Sequence, residues 1–154
     1  MKLLPATKSD IEVILNWIDS EEKAHVWGGL SLRYPFTLET VCEDIRLGEI
    51  DTFSLIDKDS NMVGIGQTVH VDNERIHLSR IMISPNHRGK GFGKTIVKLL
   101  IEKGIKLFGD KKISLKVFKD NSVAINLYKK LGFDFTDTIV SKDKNPNAAY
   151  MIKK

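Results

Sequence analysis

The stretch Ile81-Met82-Ile83-Ser84-Pro85-Asn86-His87-Arg88-Gly89-Lys90-Gly91-Phe92-Gly93-Lys94-Thr95 passes from an apolar run, through a proline stop, into glycines at every second position. Pro85 has no backbone N–H to give a neighbouring strand, which suits the end of a strand. Beyond the glycines, Phe92, Ile96, Leu99, Leu100 and Leu107 recur at helical spacing and predict a long helix with one apolar face. Glycines ahead of a helix leave backbone N–H groups bare, and the helix dipole favours negative charge there. Arg88, Lys90 and Lys94 add cations around the same point. A phosphate site is the expectation, with a plain glycine-rich turn on a basic flank as the alternative.

Outward from this loop the chain reads as continuous, without repeats, low-complexity tracts or linkers. Lys2 to Ala6 predicts a first strand, followed by a helix opened by a Ser9–Glu12 capping box, with Ile11, Ile14, Leu15 and Ile18 facing inward. His25 to Pro35 reads as a loop. Thr37 caps a second helix with Leu38, Val41, Cys42 and Ile45 inward, ending near Gly48. Strands are expected over 52–57, 62–71 and 76–84, joined by tight turns and therefore antiparallel. After the long helix come a strand over 113–118 and a helix over 122–131, capped by Asn121 and closed by Gly132. Strands over 133–140 and 148–152 end the chain. The passage from Ile76 to Phe118 is a parallel crossover. The expected fold is α/β (α+β): a mixed, mostly antiparallel central sheet of six to seven strands with helices on both faces, in a single domain over 1–154.

Two nucleotide motifs fail on the glycine loop. Gly93-Lys94-Thr95 resembles the end of a P-loop, but that motif needs glycine where Arg88 stands. A Rossmann Gly-x-Gly-x-x-Gly needs glycine at Lys94 or at Ile96, depending on register. The run Arg88-Gly89-Lys90-Gly91-Phe92-Gly93 instead resembles the Arg/Gln-x-x-Gly-x-Gly/Ala loop of the GNAT acetyltransferase superfamily. Further on, Asn121-Ser122-Val123-Ala124-Ile125-Asn126-Leu127-Tyr128-Lys129-Lys130-Leu131-Gly132-Phe133 resembles that family's Asn-x-x-Ala-x-x-Leu-Tyr-x-x-x-Gly-Phe motif. The element order matches as well. The resemblance covers essentially the whole chain, most specifically 78–133.

The resemblance implies acetyl-CoA as co-substrate, no metal, and strands four and five splayed apart. The amides of Arg88, Gly89, Lys90, Gly91, Phe92, Gly93 and Lys94 would cradle the pyrophosphate, and the backbone of Ile81, Met82 and Ile83 would pair with the pantetheine arm. Asn121 would cap its helix and bond the pantetheine. Tyr128, seven residues on and two turns along the same face, would protonate the departing thiolate. His77 and Ser79 share a strand face, in a placement similar to the histidines of arylalkylamine acetyltransferases. His77 is thus a candidate base, with His70, Glu74 and an ordered water as rivals. Ribosomal-protein alanine acetyltransferases carry a Glu on the fifth strand where this sequence has Lys116, a departure that counts against that activity.

The acceptor region implied is Trp27 to Phe36 together with residues 138–148. Trp27, Tyr34 and Ser79 are the candidate acceptor contacts, although the aromatics serve equally to seal the core. The charge supports a cationic acceptor. Residues 1–74 carry 6 basic and 14 acidic side chains and residues 75–154 carry 18 and 6, while the whole chain is +4. Within 87–119 there are ten Lys/Arg against two Asp/Glu, which suits a polyanion.

The 154 residues are 42% hydrophobic and 29% charged, an ordinary globular composition that excludes a disordered tail, a fibre and a disulfide scaffold. The start Met1-Lys2-Leu3-Leu4-Pro5 meets polar residues too soon for a secretory signal, and no apolar run approaches the ~20 residues of a membrane helix. The single Cys42 points to a reducing cytoplasm. The reading is an N-acetyltransferase acting on a small-molecule amine or peptide N-terminus, as a monomer or homodimer, without nucleic acid or membrane partners. Its alternative is a CoA-binding sensor or interaction module with little catalysis. A nucleic-acid module lacks interleaved aromatics and has an acidic N-terminal half that repels phosphate backbones.

Overall fold

The computed structural model describes residues 1–139 and 145–153. In chain order these hold β1 (Lys2–Pro5), α1 (Lys8–Leu15), α2 (Glu21–Gly28), α3 (Leu38–Asp44), β2 (Asp51–Ile56), β3 (Met62–His70), β4 (Arg75–Ile83), α4 (Phe92–Phe108), β5 (Lys112–Phe118), α5 (Ser122–Lys130), β6 (Asp134–Thr136) and β7 (Ala148–Lys153). The strands form one seven-stranded sheet in the order β1-β2-β3-β4-β5-β7-β6. The mixed, mostly antiparallel sheet expected from the sequence is the one observed. Backbone contacts divide the chain into two compact units, Met1–Gln67 with Arg80–Leu100, and Thr68–Ser79 with the described residues from Ile101 onward.

In the first unit, β1 runs antiparallel to β2, from Lys2 opposite Ile56 to Pro5 opposite Phe53. The cap of α1 differs from the expected one. Thr7, not Ser9, is the N-cap: its Oγ1 accepts the Asp10 N–H (3.3 Å), and Asp10 Oδ2 accepts the Thr7 N–H (2.9 Å). Both frames carry a hydroxyl three residues ahead of a carboxylate. The earlier frame prevails because the chain leaves β1 at Pro5 and is already helical at Ser9. Asp10 also accepts from Ser54 Oγ (3.0 Å), which ties α1 to β2.

The expected loop over 25–35 is corrected too, since its first residues belong to α2. Ser20 Oγ accepts the Lys23 N–H (3.1 Å), Glu21 and Glu22 sit at the positive end, and Gly29, at φ 88°, ends the helix. Thr37 caps α3 as expected, with Thr40 completing the box. Ile11, Ile14, Ile18, Ala24, Trp27, Leu32, Val41, Ile45 and Ile65 form the buried cluster that these helices close.

Asp57 turns β2 into β3, its Oδ1 accepting the N–H groups of Asp59 and Asn61 (both 2.9 Å). Bonds from Ser84 N–H to the Val63 carbonyl (2.8 Å) and from Val71 N–H to the Arg75 carbonyl (3.2 Å) run β3 and β4 antiparallel. Gly66 lets α4 approach, because a Cβ there would stand 2.5 Å from Leu100 Cδ1. The buried stripe of α4 is Ile96, Val97, Leu100 and Gly104. Leu107, expected on that stripe, is 47% exposed. The packed positions step by four from Leu100 to Gly104 to Phe108, and a residue three beyond Gly104 rotates off that line.

In the second unit β4 and β5 are parallel, with four pairs from Arg75–Lys112 to Leu78–Leu115. β7 lies antiparallel between β5 and β6. β6 spans Asp134–Thr136 rather than the expected 133–140, and Val140 lies outside the described residues.

Candidate active site

Arg80 interrupts the alternation of β4, standing at φ 49° between the paired residues Arg75–Leu78 and the half-buried Ile81, Met82 and Ile83. The chain then makes one 3-10 turn at Pro85–His87, with the His87 ring stacked on Phe92 at 5.9 Å between centroids. Arg88 is exposed and its Nε donates to the Ile83 carbonyl (3.3 Å). Gly89 and Gly91 have φ of 76° and 83°, the left-handed region that side chains resist. A Cβ at either position would meet nothing within 4 Å, so the backbone here is open to approach.

The Gly91 carbonyl accepts the N–H and the Oγ1–H of Thr95 (both 3.2 Å), which starts α4. The N–H groups of Phe92, Gly93 and Lys94 therefore occupy the first helical turn, where the helix supplies no carbonyl for them. Lys90 and Lys94 are exposed beside them. Bare amides, the positive end of a 17-residue helix and three flanking cations form a donor set that fits the pyrophosphate of a CoA thioester.

Of the acceptor candidates in this unit, Trp27 is buried in α2 and its Nε1–H bonds the Arg80 carbonyl (2.9 Å). Tyr34 is 39% exposed and meets Phe36 edge-on at 5.6 Å. Their loop is pinned by Arg33, which reaches Asp44 Oδ1 through Nε (3.0 Å) and Glu43 Oε2 through Nη2 (2.7 Å). The Arg33 bond holds the Asp44 carboxyl below the ordinary carboxylate range.

In the second unit His77 Nδ1 lies 2.9 Å from the hydroxyl of buried Ser114, and its ring lies 5.8 Å from Tyr150. Arg75 Nη1 donates to the same hydroxyl (3.4 Å). Ser79 is half-buried two residues beyond His77. Of the rivals, His70 is exposed and stacked on Phe108 at 5.1 Å, and Glu74 is exposed in the turn. Lys116 stands opposite Tyr150 in the β5–β7 register.

Asn121 is the N-cap of α5, its side-chain oxygen accepting the Ala124 N–H (3.2 Å), which leaves its amide nitrogen as a donor. Tyr128 follows two turns along, its ring edge-on to Phe133 at 5.9 Å. Burial pushes the Tyr128 phenol above its ordinary value, so it is a neutral proton donor at physiological pH. Residues 140–144 of the expected 138–148 acceptor region lie outside the described residues.

Sequence reasoning missed Arg80 and Gln67. Gln67 is 1% exposed and donates to the Ile45 carbonyl and to Thr52 Oγ1 (both 2.9 Å). Arg80 donates to Gln67 Oε1 (3.0 Å) and to the Gly28 carbonyl (3.1 Å). The available signal was phase: Arg80 falls at the same parity as the buried Ile76 and Leu78, an unusual place for a charge. Among the described residues no group of three His, Cys, Asp or Glu converges, and no helix is long and apolar enough to cross a membrane.

Comparison with known proteins agrees with this reading. A family model described as the acetyltransferase (GNAT) family matches residues 14–133. The spermine/spermidine N(1)-acetyltransferase of Bacillus subtilis (strain 168) is 41% identical over 63 residues, which are 41% of this chain and 41% of that protein. The spermidine N(1)-acetyltransferase of Vibrio cholerae serotype O1 is 31% identical over 84 residues, covering 53% of this chain and 47% of that one. The matches thus span about half or less of those relatives. In fold, the chain is similar to the crystal structure of spermidine N-acetyltransferase from Vibrio cholerae in complex with CoA and spermine. That match has a TM-score of 0.76 at 21% identity, over 98% of this chain and 93% of the other. The ribosomal-protein-S18-alanine N-acetyltransferase from Escherichia coli gives 0.67 at 21% identity, over 99% and 92%. With its glycine loop, its Asn121–Phe133 motif and the family model over residues 14–133, this chain belongs to the acetyltransferase (GNAT) family.

Proposed function

We propose that this protein moves the acetyl group of acetyl-CoA to a primary amine, and that its acceptor is a polyamine. The observation that carries the transferase reading is the open loop at Gly89 and Gly91 running into α4. The acceptor class rests on the polyamine acetyltransferases among the relatives and on the excess of 14 acidic over 6 basic residues in 1–74, which favours a cation. The lone Cys42, whose thiol burial pushes up, suits a reducing cytoplasm.

The roles follow from the residues. The amides from Arg88 to Lys94 hold the pyrophosphate, and the backbone of Ile81 to Ile83 receives the pantetheine as a strand would. Asn121 caps α5 with its oxygen and donates to the pantetheine with its nitrogen. The thioester supplies an activated carbonyl carbon. As the new carbon–nitrogen bond forms and the carbon–sulfur bond breaks, Tyr128 gives its phenolic proton to the sulfur, because an unprotonated thiolate leaves poorly. His77, oriented by Ser114, takes the proton that the amine must lose; Ser79 and Tyr34 belong to the acceptor side.

Thiol release from acetyl-CoA tests this across spermidine, spermine, an aminoglycoside, and neutral and acidic amines. The polyamines are expected to react fastest. Release only with neutral or acidic amines would remove the polyamine assignment, and release with none would remove the transferase reading.

A further inference from the structure

Arg80 joins three features that the mechanism leaves unexplained. It is a non-glycine residue at φ 49°, a conformation that side chains resist and that persists only where its surroundings enforce it. Its guanidinium is largely withdrawn from water, with Nε buried and unpartnered, although Asp44 nearby favours its charge. Both its side chain and its main chain hold the same end of α2: Nη2–H bonds the Gly28 carbonyl (3.1 Å), and the Arg80 carbonyl accepts Trp27 Nε1–H (2.9 Å).

The polar chain continues inward. Nη1 donates to Gln67 Oε1, which fixes the orientation of that buried amide, and Gln67 Nε2 then donates to the Ile45 carbonyl at the end of α3 and to Thr52 Oγ1. The guanidinium is thereby set against carbonyls at the C-terminal ends of two helices, directly at Gly28 and through Gln67 at Ile45. That is where helix dipoles favour a cation. One residue of β4 thus holds α2, and through Gln67 reaches α3, immediately before the strand segment Ile81–Ile83.

We propose that Arg80 is a positioning residue for the acceptor: it fixes the Trp27–Gly28 end of α2, which leads into the loop carrying Tyr34, against β4, so that acceptor affinity depends on its two-pronged grip. This rests on the transferase reading above. A lysine cannot replace it, because a single ammonium on a flexible stem lacks the planar fork that reaches Gln67 and Gly28 together.

The test compares Arg80→Lys and Arg80→Gln with the native protein, varying the amine at saturating acetyl-CoA and then the reverse. KM for the amine is expected to rise about tenfold or more in both, as for a lost hydrogen bond to a charged group, while KM for acetyl-CoA stays put. A fall in kcat alone, or an equal rise in both KM values, would overturn the proposal, as would full rescue by lysine. Should these variants fold poorly, Trp27→Phe keeps a ring and removes the bond to the Arg80 carbonyl; it is expected to raise the amine KM alone, and an unchanged amine KM would overturn the proposal. If the native protein acetylates no amine, the grip is still read separately in a Trp17→Phe background, where Trp27 is the lone tryptophan. There Arg80→Lys is expected to red-shift Trp27 emission and increase its quenching, and an unchanged spectrum would overturn the grip itself.

Discussion

Among the proposed roles, that of Tyr128 carries the most chemistry. It stands two turns along α5 from Asn121, packs against Phe133, and is held protonated by its burial. Partial burial holds the proton on the phenol more tightly than water would, so the protonated form that the thiolate needs should persist through neutral pH. Tyr128→Phe keeps the ring and its packing while removing the proton. We expect kcat to fall by about 10²- to 10⁴-fold, the usual contribution of a general acid, with acetyl-CoA affinity little changed. Steady-state kinetics beside calorimetry would check this; weakened binding at unchanged kcat would make the tyrosine a packing residue. Because the phenol is shifted upward, the native kcat profile should show no loss of this acid on the alkaline side until beyond the ordinary phenol range near 10.

At the level of elements, the loop and α4 act together. Gly91 has a left-handed backbone that requires glycine, and open space around it. Gly91→Glu should abolish acetyl-CoA binding through both a strained φ and a carboxylate in the anion cradle. Gly91→Ala, strained but uncharged, should retain more, and affinity measurements on the pair separate the two causes. Unchanged affinity in the glutamate variant would mean that the cradle lies elsewhere. This element was plain from the sequence, because glycines, a proline stop and a helical apolar stripe all agree on it. The same holds for β4, α5 and its Asn121 cap.

What stayed hidden at this scale has physical reasons. α2 spans Glu21–Gly28, and its buried positions, Ala24, Trp27 and Gly28, make a weak apolar stripe in which two of the three are small. The cap of α1 was ambiguous because two overlapping frames satisfy the same pattern, and only the exit from β1 decides between them. Arg80 was hidden because a left-handed residue inside a strand leaves no local mark when it is not glycine. Its charge at a buried parity is visible only once Ile76 and Leu78 are known to be inside.

Across the whole molecule, the division of charge is what the two proposed ligands, a polyanion and a cation, would call for. The C-terminal half holds the excess of cations and includes all of the proposed CoA-binding residues, whereas the N-terminal half is acidic and supplies α2, α3 and the loop proposed to meet the amine. Part of that acidity is already engaged, since Arg33 binds both Glu43 and Asp44, and Glu39, Asp19 and Glu49 pair with Lys8, Lys23 and Arg46. The remaining exposed carboxylates are what a polycation would meet. Family membership follows from a match over residues 14–133, whereas the acceptor region was expected over Trp27 to Phe36 and 138–148, of which 140–144 lie outside the described residues. The reaction class was legible because two motifs, at 88–93 and 121–133, carry it, whereas no motif marks the acceptor.

Every proposed role depends on the glycine loop binding the phosphates of acetyl-CoA. Its most direct test is calorimetric titration of the purified protein with acetyl-CoA, with ATP and NAD as controls. Saturable binding of acetyl-CoA is expected, and none of comparable strength for the controls. A folded protein that binds no acetyl-CoA would contradict it.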